Sequence, residues 1–553
     1  MTKRCSNFFL SRLTIALLVT VATSAGADTI RMPKSLKKSG EYTDQIVIRL
    51  KDEVASPKRQ ALSVGRVQAL SLAAGAHLKS VRPTGEAAQV LKLPEALPIA
   101  DVQKIAAKLA QDPNVLYAEP DRRKFPHLVS SDTRYDDQWY LFETVGGINA
   151  QSAWNVTTGS SSIVVAVVDT GVILTNSDLQ GGRLLAGYDF IGSDDDYPND
   201  RATDSGTVFA TANDGNGRDT NPSDPGDWMT SSEVSQSPFT GNGCIADDSS
   251  WHGTHVAGII GANGNNSVNL AGLDWNAKIL PVRVLGKCGG YTSDIVDGMR
   301  WAAGLTVSGV PTNTNPAHVL NVSLGGIGSC STSEQTAITQ ILGTTQVKAI
   351  VTSAGNENDD ASNNAPGNCT GVINVGATDR DGNRASYSDF GNFVTISAPG
   401  GLITTDPSDI GANGILSLYN NGLTSPTSDA LAFFSGTSAA APQVSGAISL
   451  MLAVKPTLTA ANIRSILSSS ARAFPGSSDC PTVGCGAGIL DVNAAVRAAS
   501  TFTAPSSSSS SGGGGGGGGC TTELGSADIS LPLLLSAALL GFFRRKRQSK
   551  NGD

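Results

Sequence analysis

The chain has 553 residues, 40% of them hydrophobic, and a formal net charge of -8; it is long and apolar enough for several domains and a large core. The charge is unevenly spread: residues 28–126 hold 17 Lys/Arg against 11 Asp/Glu, a balance of +6, and residues 127–519 hold 15 against 34, a balance of -19. A basic leader before an acidic body favours docking of one on the other and argues against nucleic acid as a partner of the body.

In chain order, residues 1–27 carry Lys3, Arg4 and Arg12, the apolar run LTIALLVTVA and then Ala25-Gly26-Ala27, the pattern of a secretory signal peptide, with a short membrane anchor as the alternative. The rest is expected outside the cytoplasm, where cysteines tend to be oxidised. In the leader, residues 28–130, DQIVIRLKD reads as a strand, IADVQKIAAKLAQ as an amphipathic helix and NVLYAEPD as a closing strand, together a small α+β unit.

From residue 161 the apolar, β-branched runs SIVVAVVD, KILPVRVLG, AHVLNVSLGG, VKAIVTSAGN and GVINVGATD alternate with helical stretches such as SDIVDGMRWAAGL, SEQTAITQILG and ANIRSILSSSARA. Continuous apolar strands between helices predict an α/β fold, a doubly wound, mostly parallel sheet covered on both faces. Functional groups in such sheets gather beyond the carboxyl ends of the strands. Asp169 ends the first run and Asn356 the fourth, so both fall on that edge; on spacing alone Asp169 is either a turn residue or a positioned anion.

Six of the eight cysteines belong to the folded part, since Cys5 leaves with the signal and Cys520 lies in a tail. Six permit 15 pairings. Cys480 and Cys485, in CPTVGC, suit a local loop, and we take Cys330 with Cys369 and Cys244 with Cys288 as the others. A zinc site needs short pairs such as CxxC, which the sequence lacks.

The segment FSGTSAAAP, residues 434–442, opens the apolar helix QVSGAISLML. Ser438 there is an N-cap or a nucleophile, Pro442 fits a first helical turn, and the free N–H groups of a helix start favour a developing negative charge. Serine chemistry also needs a base and a carboxylate that orients it. Of five histidines, His77 lies in the leader, His127 near the junction and His318 before a buried strand, so WHGTHVAG, with His252 and His255, offers the imidazole.

VVDTG, HGTHVAG, NVSLGG, SAGNE and GTSAAAP, in that order over roughly residues 135–500, resemble the motif set of subtilisin-like serine endopeptidases, whose catalytic residues follow the order Asp, His, Ser. The resemblance implies a catalytic domain over residues 131–500, with Asp169 as orienting carboxylate, His252 as general base, Ser438 as nucleophile, Asn356 as oxyanion donor and His255 as a structural neighbour. It further implies that Ser323, Leu324, Gly325 and Gly326 line the pocket for the residue before the cut, while Gly289 and Gly290 pair with substrate backbone. Broad cleavage of proteins and peptides is expected, with an apolar or unbranched residue preferred.

Asp169 and His252 are 83 residues apart, about fifty more than in compact family members. Within the insertion, residues 189–248 hold 12 Asp and one Glu against two Arg. Such runs are solvated loops or bind calcium, a hard cation that takes six to eight oxygens. Asp214, Asn216, Asp219, Asp224 and Asp227 are the candidate ligands. The resemblance implies a second calcium position at Asp178 with the loop 263–269. It also implies that the leader is an inhibitory propeptide and folding template, cut between Phe125 and Asp132. No redox cofactor is expected, and the mature enzyme is expected to be a monomer.

Residues 501–519, with six serines and eight glycines in succession, are a flexible linker. Residues 520–553 hold the run ISLPLLLSAALLGFF before Arg544-Arg545-Lys546-Arg547; at ~1.5 Å per residue the run spans roughly 23 Å, a marginal transmembrane segment with a cytoplasmic basic cluster. This tail resembles the glycine-rich C-terminal sorting signals of Gram-negative bacteria, which implies export machinery and a rhomboid-like tail-processing protease as partners; a plain C-terminal anchor is the alternative. The expected location is secreted or cell-surface, with transient membrane anchoring. A catalytically dead binding module and a metallohydrolase built on His252 and His255 are the competing functions, the latter lacking HExxH and a third ligand.

Overall fold

The computed structural model describes residues 42–51, 62–84, 88–122, 129–192, 209–404 and 407–503. The signal peptide, the linker beyond residue 503, the sorting tail with its transmembrane run, and the acidic stretch 193–208 lie outside the described residues.

The leader forms a four-stranded antiparallel sheet, β1 (Tyr42–Leu50), β2 (Lys79–Pro83), β3 (Gln89–Pro98) and β4 (Val115–Pro120), in the order β2-β3-β1-β4. Helices Val64–Ala74 and Ile99–Leu109 complete it. Ile46, Ile48 and Leu50 alternate inward along β1 and meet Leu70, Val102, Ala106 and Leu109 in a core of their own, as period-2 and period-3.6 patterns require. The expected strands and the second helix are present. The helix Val64–Ala74 and strands β2 and β3 were not expected.

The body is built on a seven-stranded sheet. Its strands are β5 (Val164–Asp169), β6 (Tyr188–Asp189), β7 (Lys278–Arg283), β8 (Val319–Val322), β10 (Ala349–Ser353), β12 (Ile373–Thr378) and β13 (Ile396–Pro399), in the order β13-β12-β10-β8-β5-β7-β6. Every pairing in it is parallel. Two-residue strands β9 (Gly326–Ile327) and β11 (Asn364–Ala365) pair beside it, and β14 (Ile415–Asn420) with β15 (Asp429–Phe434) makes a hairpin.

β5 shows why its run of valines is unbroken. Val165 and Val167 enter one core with Val256, Ile260, Val444 and Ile448, whereas Ala166 and Val168 enter the other with Met299, Trp301, Ile338 and Ile341. Both faces are dry, so alternation with polar residues disappears.

The helix Thr437–Val454 runs through the first core, with nearly all its residues buried. It is the one described helix long and apolar enough to cross a membrane, and 83% of it is buried in protein, which makes it a core helix. The transmembrane feature expected in the tail therefore gains no support from the described residues. Its start differs in detail from the sequence reading: Gly436, not Ser438, is the N-cap, and Pro442 sits inside the helix, in its second turn rather than its first.

All three expected disulfides are present, Cys244–Cys288, Cys330–Cys369 and Cys480–Cys485.

Candidate active site

β5 delivers Asp169 to the carboxyl edge of the sheet, fully buried. The helix His252–Gly261 begins opposite it, and His252 Nδ1 lies 2.7 Å from Asp169 Oδ1. Two local features allow this approach. Trp251, fully buried with Nε1 donating to Gly422 O at 2.8 Å, adopts left-handed backbone at φ 49°, a strained conformation for a bulky side chain that turns the chain into the helix. Gly253 supplies the second: a Cβ there would fall 2.1 Å from Gly171 O.

Burial disfavours the charged imidazolium of His252, but the Asp169 carboxylate and its hydrogen bond, joined by Asp227 and Asp224, outweigh burial and hold its pKa above the ordinary value. His255, three residues on, is different. It stacks on Phe434 with ring centroids 3.8 Å apart and places Nε2 3.2 Å from both Ile415 O and Ala432 O. Burial, reinforced by His252, pushes its pKa down to about 3, so the ring is neutral and its N–H points to the β14–β15 hairpin.

Ser438 is the second residue of its helix and lines a cleft of about 660 Å³ with His252, Asn356, Ser323, Gly289 and Gly290. Leu324, Gly325 and Gly326 line it too. The Asn356 amide is held in one orientation because its Oδ1 accepts from Thr437 N at 2.9 Å and Thr437 Oγ1 at 3.0 Å; the amide's N–H₂ end is left for a ligand.

The helix start is braced by a polar chain in which Ser323 is joined by Asn321 and Ser445, two residues that the sequence did not single out. Pro442 has no N–H for the carbonyl four residues earlier, which belongs to Ser438. Ser323 Oγ donates to that carbonyl at 3.0 Å. Asn321 Nδ2 donates to Ser323 Oγ at 2.9 Å, and Ser445 Oγ donates to Asn321 Oδ1 at 2.7 Å. A buried polar chain thus ties β8 to the helix that carries Ser438.

The acidic insertion does not form one ligand cluster. Arg283, fully buried, bonds Asp189 and Ala212 O, and reaches Asp214 Oδ2 at 3.0 Å. Asn216 donates to Asp219 at 2.8 Å on the same turn as Asp214. Asp224 and Asp227 lie apart from these, beside the start of the helix His252–Gly261. Asp224 accepts from Thr170 Oγ1 at 2.6 Å, Thr170 Oγ1 accepts from Gly253 N at 3.0 Å, and Asp227 accepts from Ser250 N and Oγ, both at 2.7 Å. Burial pushes Asp224 up to about 7. Asp178 is fully buried and accepts from Asn266 Nδ2 at 2.8 Å in the expected loop; burial raises it to about 6. Among the described residues, the groups of three or more His, Cys, Asp or Glu close enough to share an ion both include disulfide cysteines.

Residues 160–501 match the model of the subtilase family. The chain belongs to that family. This subtilase is 44% identical over 425 residues to the "Extracellular protease" of Xanthomonas campestris pv. campestris, covering 76% of this chain and 66% of that protein. It is 38% identical over 505 residues to the "Extracellular basic protease" of Dichelobacter nodosus, covering 88% and 77%. Among solved structures, one titled as proteases from Pseudoalteromonas arctica PAMC 21717 shares 45% identity with a TM-score of 0.60, covering 67% of this chain and all of that one. The subtilase is a serine endopeptidase with the parallel-sheet α/β fold of its relatives.

Proposed function

We propose that the subtilase is a secreted, self-processing endopeptidase that works through Asp169, His252 and Ser438. The carrying observation is the 2.7 Å contact of His252 Nδ1 with buried Asp169, at the wall of the cleft that Ser438 and Asn356 also line. Ser438 Oγ attacks the substrate carbonyl while His252 takes its proton. Asp169 holds the ring and stabilises the imidazolium, and Asn356 Nδ2 donates to the oxyanion. The C–N bond then breaks, the proton passes from His252 to the leaving amine, and water hydrolyses the acyl-serine.

The leader acts as the intramolecular inhibitor, supported by its opposite charge and separate core. Secretion is supported by the signal-like N-terminus and by the relatives' names. Calcium is proposed at Asp178, whose buried carboxylate meets uncharged donors and would gain most from a cation. Asp214 fits less well, since Arg283 already answers its charge.

Casein hydrolysis by processed enzyme, abolished by a serine-reactive inhibitor and by Ser438→Ala, tests the reading. Ser438→Ala should also leave the chain at full length. Activity that survives both treatments, or normal processing of Ser438→Ala, would refute it.

A further inference from the structure

Among the described residues, the charged groups that line the cleft are His252 and three carboxylates, Asp227, Glu334 and Glu357, with neither Lys nor Arg. Each carboxylate is held by uncharged donors. Glu334 Oε2 accepts from Ser331 N at 2.8 Å, Glu357 Oε2 accepts from Asn356 N at 2.8 Å, and Asp227 accepts from Ser250. These contacts fix the positions of the oxygens and leave their charges uncompensated.

A separate observation points to a donor-bearing ligand. Asn364 also lines the cleft, is 4% exposed, and has an Oδ1 without a hydrogen-bond partner. That oxygen abuts the pocket wall, where a Cβ on Gly325 would lie 2.4 Å from it. Lysine and arginine bring three and five donors and no acceptor, and the lysine stem is unbranched and apolar. The sequence provides such a ligand in place: Arg122-Arg123-Lys124 ends the basic leader, next to the segment where the mature chain is expected to begin.

We propose that this cleft selects cationic side chains on the acyl side of the scissile bond, with the tract Arg122-Arg123-Lys124 as its first occupant, cut at Lys124–Phe125, one bond ahead of the window Phe125 to Asp132 that the resemblance implies. The inference rests on the endopeptidase reading and names its substrate class. Glu334, Glu357 and Asn364 receive the residue before the cut, and Asp227, beside His252, receives the one before that. In the maturation step the Lys124 carbonyl moves from nitrogen to Ser438 Oγ, the serine proton passes through His252 to the Phe125 amine, and water releases the acid.

The test uses processed enzyme on fluorogenic peptides that differ only in lysine or its uncharged isostere norleucine before the cut. We expect lysine to be favoured in kcat/KM, the preference to shrink with salt, and Glu357→Gln and Glu334→Gln each to lower the lysine/norleucine ratio by about two- to fivefold, the scale of a solvent-accessible ion pair. In the full chain, replacing Arg122, Arg123 and Lys124 by Gln should slow maturation, and the wild-type N-terminus should be Phe125. Equal or better cleavage of norleucine at low salt overturns the cationic cleft while leaving the endopeptidase intact. Cleavage of neither peptide by an enzyme that binds no serine-reactive inhibitor overturns both.

Discussion

Ser323 Oγ donates to the carbonyl of Ser438, the carbonyl that Pro442 leaves without its helical N–H. One side chain thus repairs the helix that carries Ser438 and joins it to the strand edge that lines the cleft.

Ser323→Ala removes that donor and leaves the Ser438 carbonyl unsatisfied. We expect a loss of about 1–3 kcal/mol in stability, read as a lower denaturant midpoint, together with reduced kcat. Pro442→Ala in the same background should recover stability by restoring the helical N–H. If the double variant is no more stable than Ser323→Ala, the proline account is wrong.

The two histidines should behave unequally. His252→Ala should lower kcat by at least about 10³-fold and block leader cleavage. His255→Ala loses the Phe434 stack and both hairpin contacts, so the main effect should be a loss of about 2–4 kcal/mol. Equal loss of activity in both, with folding intact by circular dichroism, would contradict this division.

The pH profile follows from the His252 environment, in which Asp169, Asp227 and Asp224 oppose burial and the neighbouring His255 stays neutral. The base must be neutral to accept the serine proton, and its pKa is raised, so kcat/KM should climb through a midpoint above about 6.5. The same shift stabilises the fold fully below about pH 6.5 and loses that contribution as pH rises through the folded-state pKa. Asp227→Asn should move the kinetic midpoint down. An unchanged or higher midpoint would refute the role of Asp227.

Asp178 gives calcium removal a pH signature. Burial raises it to about 6, so its protonated form favours the fold at low pH and that contribution is lost as pH rises through the folded-state value. A bound cation would offset the cost of the ionised carboxylate. EDTA should therefore lower Tm more at pH 8 than at pH 5, and Asp178→Asn should remove the difference. A Tm insensitive to EDTA at both pH values would sink the site.

Much of the frame is legible without coordinates. The unbroken valines of β5 imply burial on both faces, and the run ends at a carboxylate. The short strand Ile396–Pro399 and the alanine-rich helix Val64–Ala74 were missed because neither has a distinct period. Arg283 was missed for another reason: inside an apolar strand a charge carries no mark of its partner, and Asp189 lies 94 residues away.

The sequence by itself determined the order of the motifs, the continuous hydrophobicity of the central strands and the small residues at the two helix starts, because these reflect local backbone geometry and period. Only the tertiary structure decided how the acids of the insertion divide: Asp214 to Arg283, Asp224 and Asp227 to the start of the helix His252–Gly261. Charge acts through distance in space, and distance along the chain does not record it.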